Sequence, residues 1–247
     1  MKISKLEPKY IKKNNPRIGL ITLASDFRIE KDFNNIIYGR DIDLYSNRIK
    51  SYNPLTNEML KKMADDITDV TKEILPDQKL DCVAYGCTSG TIAIGEEHIS
   101  SQVQRSKPEA KVTTPITASL KAFKKLNLKN IAVLTPYPKD VNVTVFDYLI
   151  KNNLKIDSFN SFNLNYDSEI AQVSLESLKE SIAKINLDNV DGLFVSCTAL
   201  KIVDILDEVE KKFNTTVISS NQAIIWDCLQ LLDMNVKISG YGKLFNS

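Results

Sequence analysis

Asp81-Cys82-Val83-Ala84-Tyr85-Gly86-Cys87-Thr88 and Asp191-Gly192-Leu193-Phe194-Val195-Ser196-Cys197-Thr198 are two copies of one pattern, D-x-x-x-x-G/S-C-T, set 110 residues apart. In each copy an aspartate opens a short apolar run that reads as a buried strand, and the cysteine and threonine fall where that strand ends. Two more matches keep the same order. Upstream, Ile18-Gly19-Leu20-Ile21-Thr22 matches Ile131-Ala132-Val133-Leu134-Thr135 at an offset of 113. Downstream, the segment Val112 to Ala118 resembles Val217 to Ala223 at an offset of 105. Three matches in one order at nearly one offset indicate an internal repeat. The expected organisation is two α/β halves, residues 1–127 carrying Cys87 and residues 128–247 carrying Cys197, related by a pseudo-twofold axis.

The rest of the chain fits that division. Buried strands are expected at Arg17 to Leu23, Cys82 to Tyr85, Lys111 to Thr113, Asn130 to Leu134, Gly192 to Val195 and Thr216 to Ser219, with weaker ones at Ile42 to Ile49 and Lys155 to Phe162. Helical periodicity covers Asn57 to Leu75, Ile116 to Leu126, Val141 to Asn152, Ser168 to Ile185, Ala199 to Phe213 and Ala223 to Asp233. Asn53-Pro54-Leu55-Thr56 reads as the turn and cap that start the first of these. Short apolar strands alternating with longer helices give an α/β fold, with a parallel sheet flanked by helices in each half. The last helix, Ala223 to Asp233, has the option of packing back on the first half.

Composition narrows the function classes. The 247 residues are 43% hydrophobic and 26% charged, with mean hydropathy −0.18, the balance of an ordinary globular protein. Lys+Arg 32 against Asp+Glu 31 leaves a formal charge of +1, so no basic surplus favours nucleic acid. No stretch approaches the roughly 20 apolar residues of a membrane span. The start, MKISKLEPKYIKKNNP, lacks the apolar core of a secretion signal, and a cytoplasmic protein with reduced thiols is expected. Four cysteines and a single histidine, His98, with no C-x-x-C pair, do not make a metal site. No cofactor motif is present either: no G-x-G-x-x-G, Walker sequence or nucleophile elbow occurs.

The chemistry therefore rests on the repeated cysteine. Ligands of open parallel sheets bind beyond the carboxyl ends of the strands, where Cys87 and Cys197 both fall. A pseudo-twofold axis would set the two thiols on opposite sides of one cleft. Free N–H groups at a helix start favour thiolate, and a catalytic pair should hold at least one thiol reactive near neutral pH. Thr88, Ser89 and Thr198 add hydroxyls for a carboxylate. Cys82, inside a strand, and Cys228, inside an apolar helix, read as small core residues, and His98, after Glu96-Glu97 on a helix, as a surface residue.

The segments Cys87-Thr88-Ser89-Gly90-Thr91 and Ser196-Cys197-Thr198-Ala199-Leu200, with Leu134-Thr135-Pro136-Tyr137 and Ser219-Ser220-Asn221-Gln222-Ala223, resemble the aspartate/glutamate racemase superfamily. Within it they resemble the branch of maleate cis-trans isomerases and arylmalonate decarboxylases, and most of all its ectoine-utilisation proteins. The resemblance implies a cofactor-independent isomerase or racemase of a small carboxylic acid, with Cys87 and Cys197 as the opposed catalytic pair. It also implies that Tyr137 and Asn221 contact substrate, and that the chain forms a homo-oligomer. Arylmalonate decarboxylases of the branch keep only the second cysteine, so decarboxylation or lysis by Cys197 alone is the alternative. A carboxylate-binding protein without turnover is another.

Two departures from the maleate isomerase pattern bear on substrate. Asp26, in Ser25-Asp26-Phe27-Arg28-Ile29-Glu30, stands where those enzymes have asparagine, and a second asparagine near Tyr166 to Glu169 reads here as Ser168. An ionised Asp26 about 4 Å from a substrate carboxylate would cost about 4 kcal/mol at an effective dielectric near 20. Asp26 would instead attract an ammonium or accept from a hydroxyl. A helix cap is its alternative role.

Overall fold

The computed structural model describes residues 3–10 and 15–247. Its strands are β1 (Arg17–Leu23), β2 (Asp43–Ile49), β3 (Cys82–Gly86), β4 (Lys111–Thr113), β5 (Asn130–Thr135), β6 (Lys155–Ser161), β7 (Gly192–Val195) and β8 (Thr216–Ser219). They form two four-stranded sheets, ordered β2-β1-β3-β4 and β6-β5-β7-β8, and every pairing is parallel. The second sheet repeats the first strand for strand, β1 answering to β5 and β3 to β7. The repeat in the sequence is thus a repeat of topology, and the α/β fold of two halves holds.

Burial follows position in the sheet. The central strands β1, β3, β5 and β7 are closed almost throughout, as helices on both faces require, whereas the edge strands β2 and β6 alternate exposed and covered residues. Their exposed positions are Ser46 and Arg48 in β2 and Lys155, Asp157 and Ser161 in β6, which is why the apolar signal of these two strands is weak.

The two halves are laced by their last helices. Ser220–Leu231 leaves the second sheet and packs on the Pro115–Lys125 helix and on β3 of the first half. Asp227 on it accepts from Thr113 Oγ1 and Lys121 Nζ, each at 2.6 Å. In return Phe123 meets Phe194 of β7 edge to face, with ring centroids 5.3 Å apart, a contact of about 1 kcal/mol beyond area burial. A single core of Ile, Leu, Val and Phe side chains runs through both sheets.

Several expected helices are divided. Asn57–Lys62 and Ile67–Lys72 are separated by a 3-10 turn at Met63–Asp66, and Thr56 caps the first, its Oγ1 accepting from the N–H of Met59 at 3.1 Å. The Ser168 to Ile185 region splits into Asp167–Ile170 and Leu175–Ala183, the second capped by Ser174. Ala199 to Phe213 is a turn, a 3-10 segment (Lys201–Ile205) and a helix (Leu206–Phe213). The Ile29–Ile37 helix was not among the expected ones, although Ile29, Phe33, Ile36 and Ile37 bury one face at helical spacing. No helix among the described residues is long and apolar enough to cross a membrane.

Candidate active site

In each sheet the chain leaves the first strand in one direction for β2 or β6, then returns across it to β3 or β7. Beyond the carboxyl ends of strands flanking such a reversal, a crevice forms. Four segments leave strands there: Ser25-Asp26 after β1, Cys87-Thr88-Ser89 after β3, Pro136-Tyr137 after β5 and Ser196-Cys197-Thr198 after β7. They meet in one small cavity of about 20 Å³, walled on its apolar side by Leu23, Leu55 and Leu60. Of the residues singled out from sequence, Asp26, Cys87, Thr88, Ser89, Tyr137, Cys197 and Thr198 all line it.

The two thiols are held differently. Cys87 has extended backbone (φ −143°) and caps the Thr88–Ile94 helix, its Sγ accepting from the N–H of Gly90 at 3.2 Å. Gly90 is required there, because a Cβ would come within 2.7 Å of both Cys87 Sγ and Met63 Cε. Cys197 has φ +115°, a region that side chains other than glycine seldom enter and that costs of order 1–3 kcal/mol. Its N–H donates to Ser220 Oγ at 2.9 Å, and Thr88 Oγ1 donates to the same oxygen at 2.9 Å. Ser220 therefore ties the segment after β3 to the segment after β7. Thr198 Oγ1 adds a longer link to the carbonyl of Gly86, 3.4 Å away.

Electrostatics around the thiols runs against the expectation of a thiol reactive near neutral pH. Burial pushes Cys87 up to about 12, against the favourable N–H of Gly90, and Asp167 and Asp26 push the same way. Cys197 is raised further, by burial first and then by Asp26, Asp167 and Cys87, with only the N–H of Ala199 opposing. The cysteines of the resting site are thus neutral thiols, because low dielectric and two carboxylates outweigh the backbone dipoles. Tyr137 is likewise held well above the ordinary phenol value, by burial and then by Cys197, and its hydroxyl lies 3.3 Å from Ser196 Oγ.

Asp26 caps a helix and also lines the cavity. Its Oδ1 accepts from the N–H groups of Arg28 (2.7 Å) and Ile29 (3.0 Å), capping the start of the Ile29–Ile37 helix. Its Oδ2 is buried and has no partner. Asn221 does not line the cavity. It sits behind it, Nδ2 donating to the carbonyl of Thr198 and to Asp32 Oδ2, both at 2.8 Å, so it supports the segment after Cys197 rather than facing a ligand. Ser168 is exposed, and the side chain in the cavity is that of its neighbour Asp167. The Asp167–Ile170 helix begins one residue earlier than expected, which turns Asp167 inward, its Oδ2 accepting from Ser25 Oγ at 2.8 Å.

Ser25, Asp167 and Ser220 are the polar residues that sequence reasoning passed over. Ser220 lay inside a quoted motif, and Asp167 beside one. Cys82 and Cys228 are buried in the core with sulfurs 3.8 Å apart, and His98 is exposed near Gln102. No group of three or more His, Cys, Asp and Glu side chains among the described residues is arranged to hold a metal ion.

A family model described as arylmalonate decarboxylase matches residues 37–245. The chain is 22% identical over 245 residues to a maleate isomerase of Geobacillus stearothermophilus, covering 93% of this chain and 97% of the relative. It is 29% identical over 137 residues to an arylmalonate decarboxylase of Bordetella bronchiseptica, 54% of this chain and 57% of the relative. Among solved structures it is similar to a cysteine-to-serine variant of the Nocardia farcinica maleate cis-trans isomerase with a covalently bound succinylcysteine intermediate. The TM-score is 0.86 at 21% identity, over 93% of this chain and 98% of that one, a likeness of fold. These matches fall in the branch that the cysteine motifs resemble.

Proposed function

Because the chain belongs to the arylmalonate decarboxylase family, we propose that it is a cofactor-independent isomerase or racemase of a small carboxylic acid, with Cys87 and Cys197 as the reacting pair. The observation that carries this reading is the delivery of both thiols, from matching strand ends of a twofold repeat, into one small cavity beside Tyr137. A planar carbon centre between them has one sulfur for each face. In racemisation, one cysteine as thiolate takes the α-proton and becomes a thiol, the C–H electron pair staying on the substrate as an enolate. The opposite thiol then returns a proton to the other face and is left as thiolate. In cis-trans isomerisation, one cysteine as thiolate adds to a carbon of the double bond and the π electrons move onto the adjoining carboxylate; the new single bond rotates, and return of those electrons expels the thiolate.

Tyr137, Ser89 and Thr198 supply hydroxyl donors for a substrate carboxylate, while Thr88 beside them donates to Ser220 and Asn221 steadies Thr198 from behind. The same proposal includes a cytoplasmic setting, in which free thiols persist, a homo-oligomer, and a role in ectoine breakdown. That last role rests on the resemblance of Cys87 to Thr91, Leu134 to Tyr137 and Ser219 to Ala223 to ectoine-utilisation proteins. Decarboxylation or lysis by Cys197 alone is the second reading, favoured by the greater exposure of Cys197 and by the decarboxylase relative.

Proton NMR in D2O tests both, with maleate, an arylmalonate and pairs of chiral amino and hydroxy acids as the panel. Loss of an α-proton signal or conversion of maleate to fumarate, reduced at least a thousandfold in both Cys87→Ser and Cys197→Ser, is the expected result. Loss of carboxylate from a malonate, unaffected by Cys87→Ser, would replace the isomerase with the decarboxylase.

A further inference from the structure

The cavity holds two carboxylates and two thiols but no cation. Asp26 and Asp167 both line it and are both buried, and none of its lining residues is a lysine, arginine or histidine. The nearby guanidinium groups are committed elsewhere. Arg28 pairs with Asp32 and Asp204. Arg48 pairs with Glu30, and reaches Asp26 only at its peptide carbonyl, 2.6 Å from Nη1. Asp26 Oδ2 is buried without a hydrogen-bond partner among the described residues. A buried, unpartnered carboxylate oxygen is costly. A second carboxylate facing the same space adds repulsion to that cost, unless something positively charged comes to meet them.

Resting on the two-thiol reading, we propose that the substrate brings that charge: a small acid carrying a protonated nitrogen, seated with its ammonium group against Asp26 and Asp167 and its carboxylate against the hydroxyls of Tyr137 and Thr198. A dicarboxylate such as maleate would place a second negative charge beside two existing ones and is selected against. The ammonium has a second effect. Asp26 and Asp167 disfavour a thiolate at Cys87 and Cys197, and an ammonium seated between carboxylates and sulfurs offsets part of that field. Thiolate formation, and with it proton abstraction, is thereby favoured when substrate is in place.

Saturation-transfer NMR on the Cys87→Ser variant measures binding without turnover, with 2-aminobutanoate, 2-hydroxybutanoate and maleate as probes. The expected order is the amino acid at least tenfold tighter than the hydroxy acid, with maleate weakest. In the double variant Asp26→Asn/Asp167→Asn the order inverts, maleate gaining tenfold or more, and a circular dichroism melt confirms that the variant is folded. Because Asp26 also caps a helix, the single Asp167→Asn variant is run beside it and should move the same way by a smaller factor. Maleate binding as tightly as 2-aminobutanoate, failure of the amino acid to bind at all, or no inversion in a folded variant would each overturn the proposal. Binding in the expected order with no deuterium exchange in the wild-type protein would instead overturn the two-thiol reading and leave the selectivity standing.

Discussion

Cys87 and Cys197 occupy the same place in the repeat, yet the chain leaves them in opposite ways. After Cys87 the backbone is extended and turns at once into a helix whose third residue, Gly90, lies under the sulfur. After Cys197, at φ +115°, it makes a turn and a 3-10 segment before any α-helix begins. The position matching Gly90 is Leu200, and a side chain there is incompatible with a turn packed that closely on its own cysteine. The first thiol is therefore sunk and clamped by its helix, 4% exposed, while the second stands higher in the cavity on a strained residue held by Ser220. One octapeptide pattern thus yields a fixed sulfur and a more accessible one, and the residue that decides between them lies outside the shared pattern.

That contrast can be broken by chemistry first. Access should outweigh acidity: Cys197 is held further above the ordinary thiol value than Cys87 but is the more exposed sulfur, and iodoacetamide should modify it before Cys87, as read by peptide mass spectrometry over time. With Cys87 raised to about 12 by burial, its reaction at pH 7.5 should run roughly a thousandfold slower than that of a free cysteine, because only thiolate attacks. The folded value lies above the ordinary value near 9, so the stability conferred by the neutral buried thiol is complete below about pH 9 and is lost as pH rises toward about 12. A thermal melt series from pH 8 to 11 should show that fall, and Cys87→Ala should remove its share of it, leaving the part due to Cys197 and Tyr137. Modification of Cys87 first would mean that the clamp is absent in solution.

The next largest effect is expected at the glycine. Gly90→Ala drives a methyl to within 2.7 Å of Cys87 Sγ and Met63 Cε, and overpacking of this kind costs about 1–3 kcal/mol. A urea titration should show that loss. Turnover should fall more than stability explains, by about tenfold to a hundredfold, because the sulfur itself is displaced. If the variant keeps full activity, the clamp on Cys87 is not what sets its position.

Much of this was legible in the residues. The eight strands and the twofold repeat follow from short apolar runs, and even the edge strands show through their alternation. The convergence of most of the singled-out residues on one cavity followed as well, since strand ends at a chain reversal are where parallel sheets bind ligands. What escaped depends on contacts between segments far apart in sequence. The Ile29–Ile37 helix has the right spacing, but its cap is Asp26, two residues before a start at Arg28, whose own side chain makes no capping hydrogen bond. Asp167 rather than Ser168 faces the cavity because a four-residue helix starts one position early, a shift that no periodicity argument resolves. The positive φ at Cys197 has no signature in a cysteine, and Asn221 was placed one layer too close because its amide braces Thr198 from behind.

The smallest expected effect falls on Ser220, which distinguishes a pair of independent thiols from a coupled one. Its Oγ receives both the N–H of Cys197 and the hydroxyl of Thr88, each at 2.9 Å. Ser220→Ala leaves that N–H buried without a partner, at a cost of about 1–3 kcal/mol, and frees Thr88 beside Cys87. The penalty falls on a residue already strained at φ +115°, so the Cys197 segment should relax first. Turnover should drop about tenfold, and iodoacetamide should reach Cys197 faster while its rate at Cys87 changes little. Ser220→Thr, which keeps the hydroxyl, should recover most of the loss. Equal acceleration at both thiols would show that the serine holds the two strand ends as one unit, and that the asymmetry of the loops belongs to the shared tie rather than to Gly90.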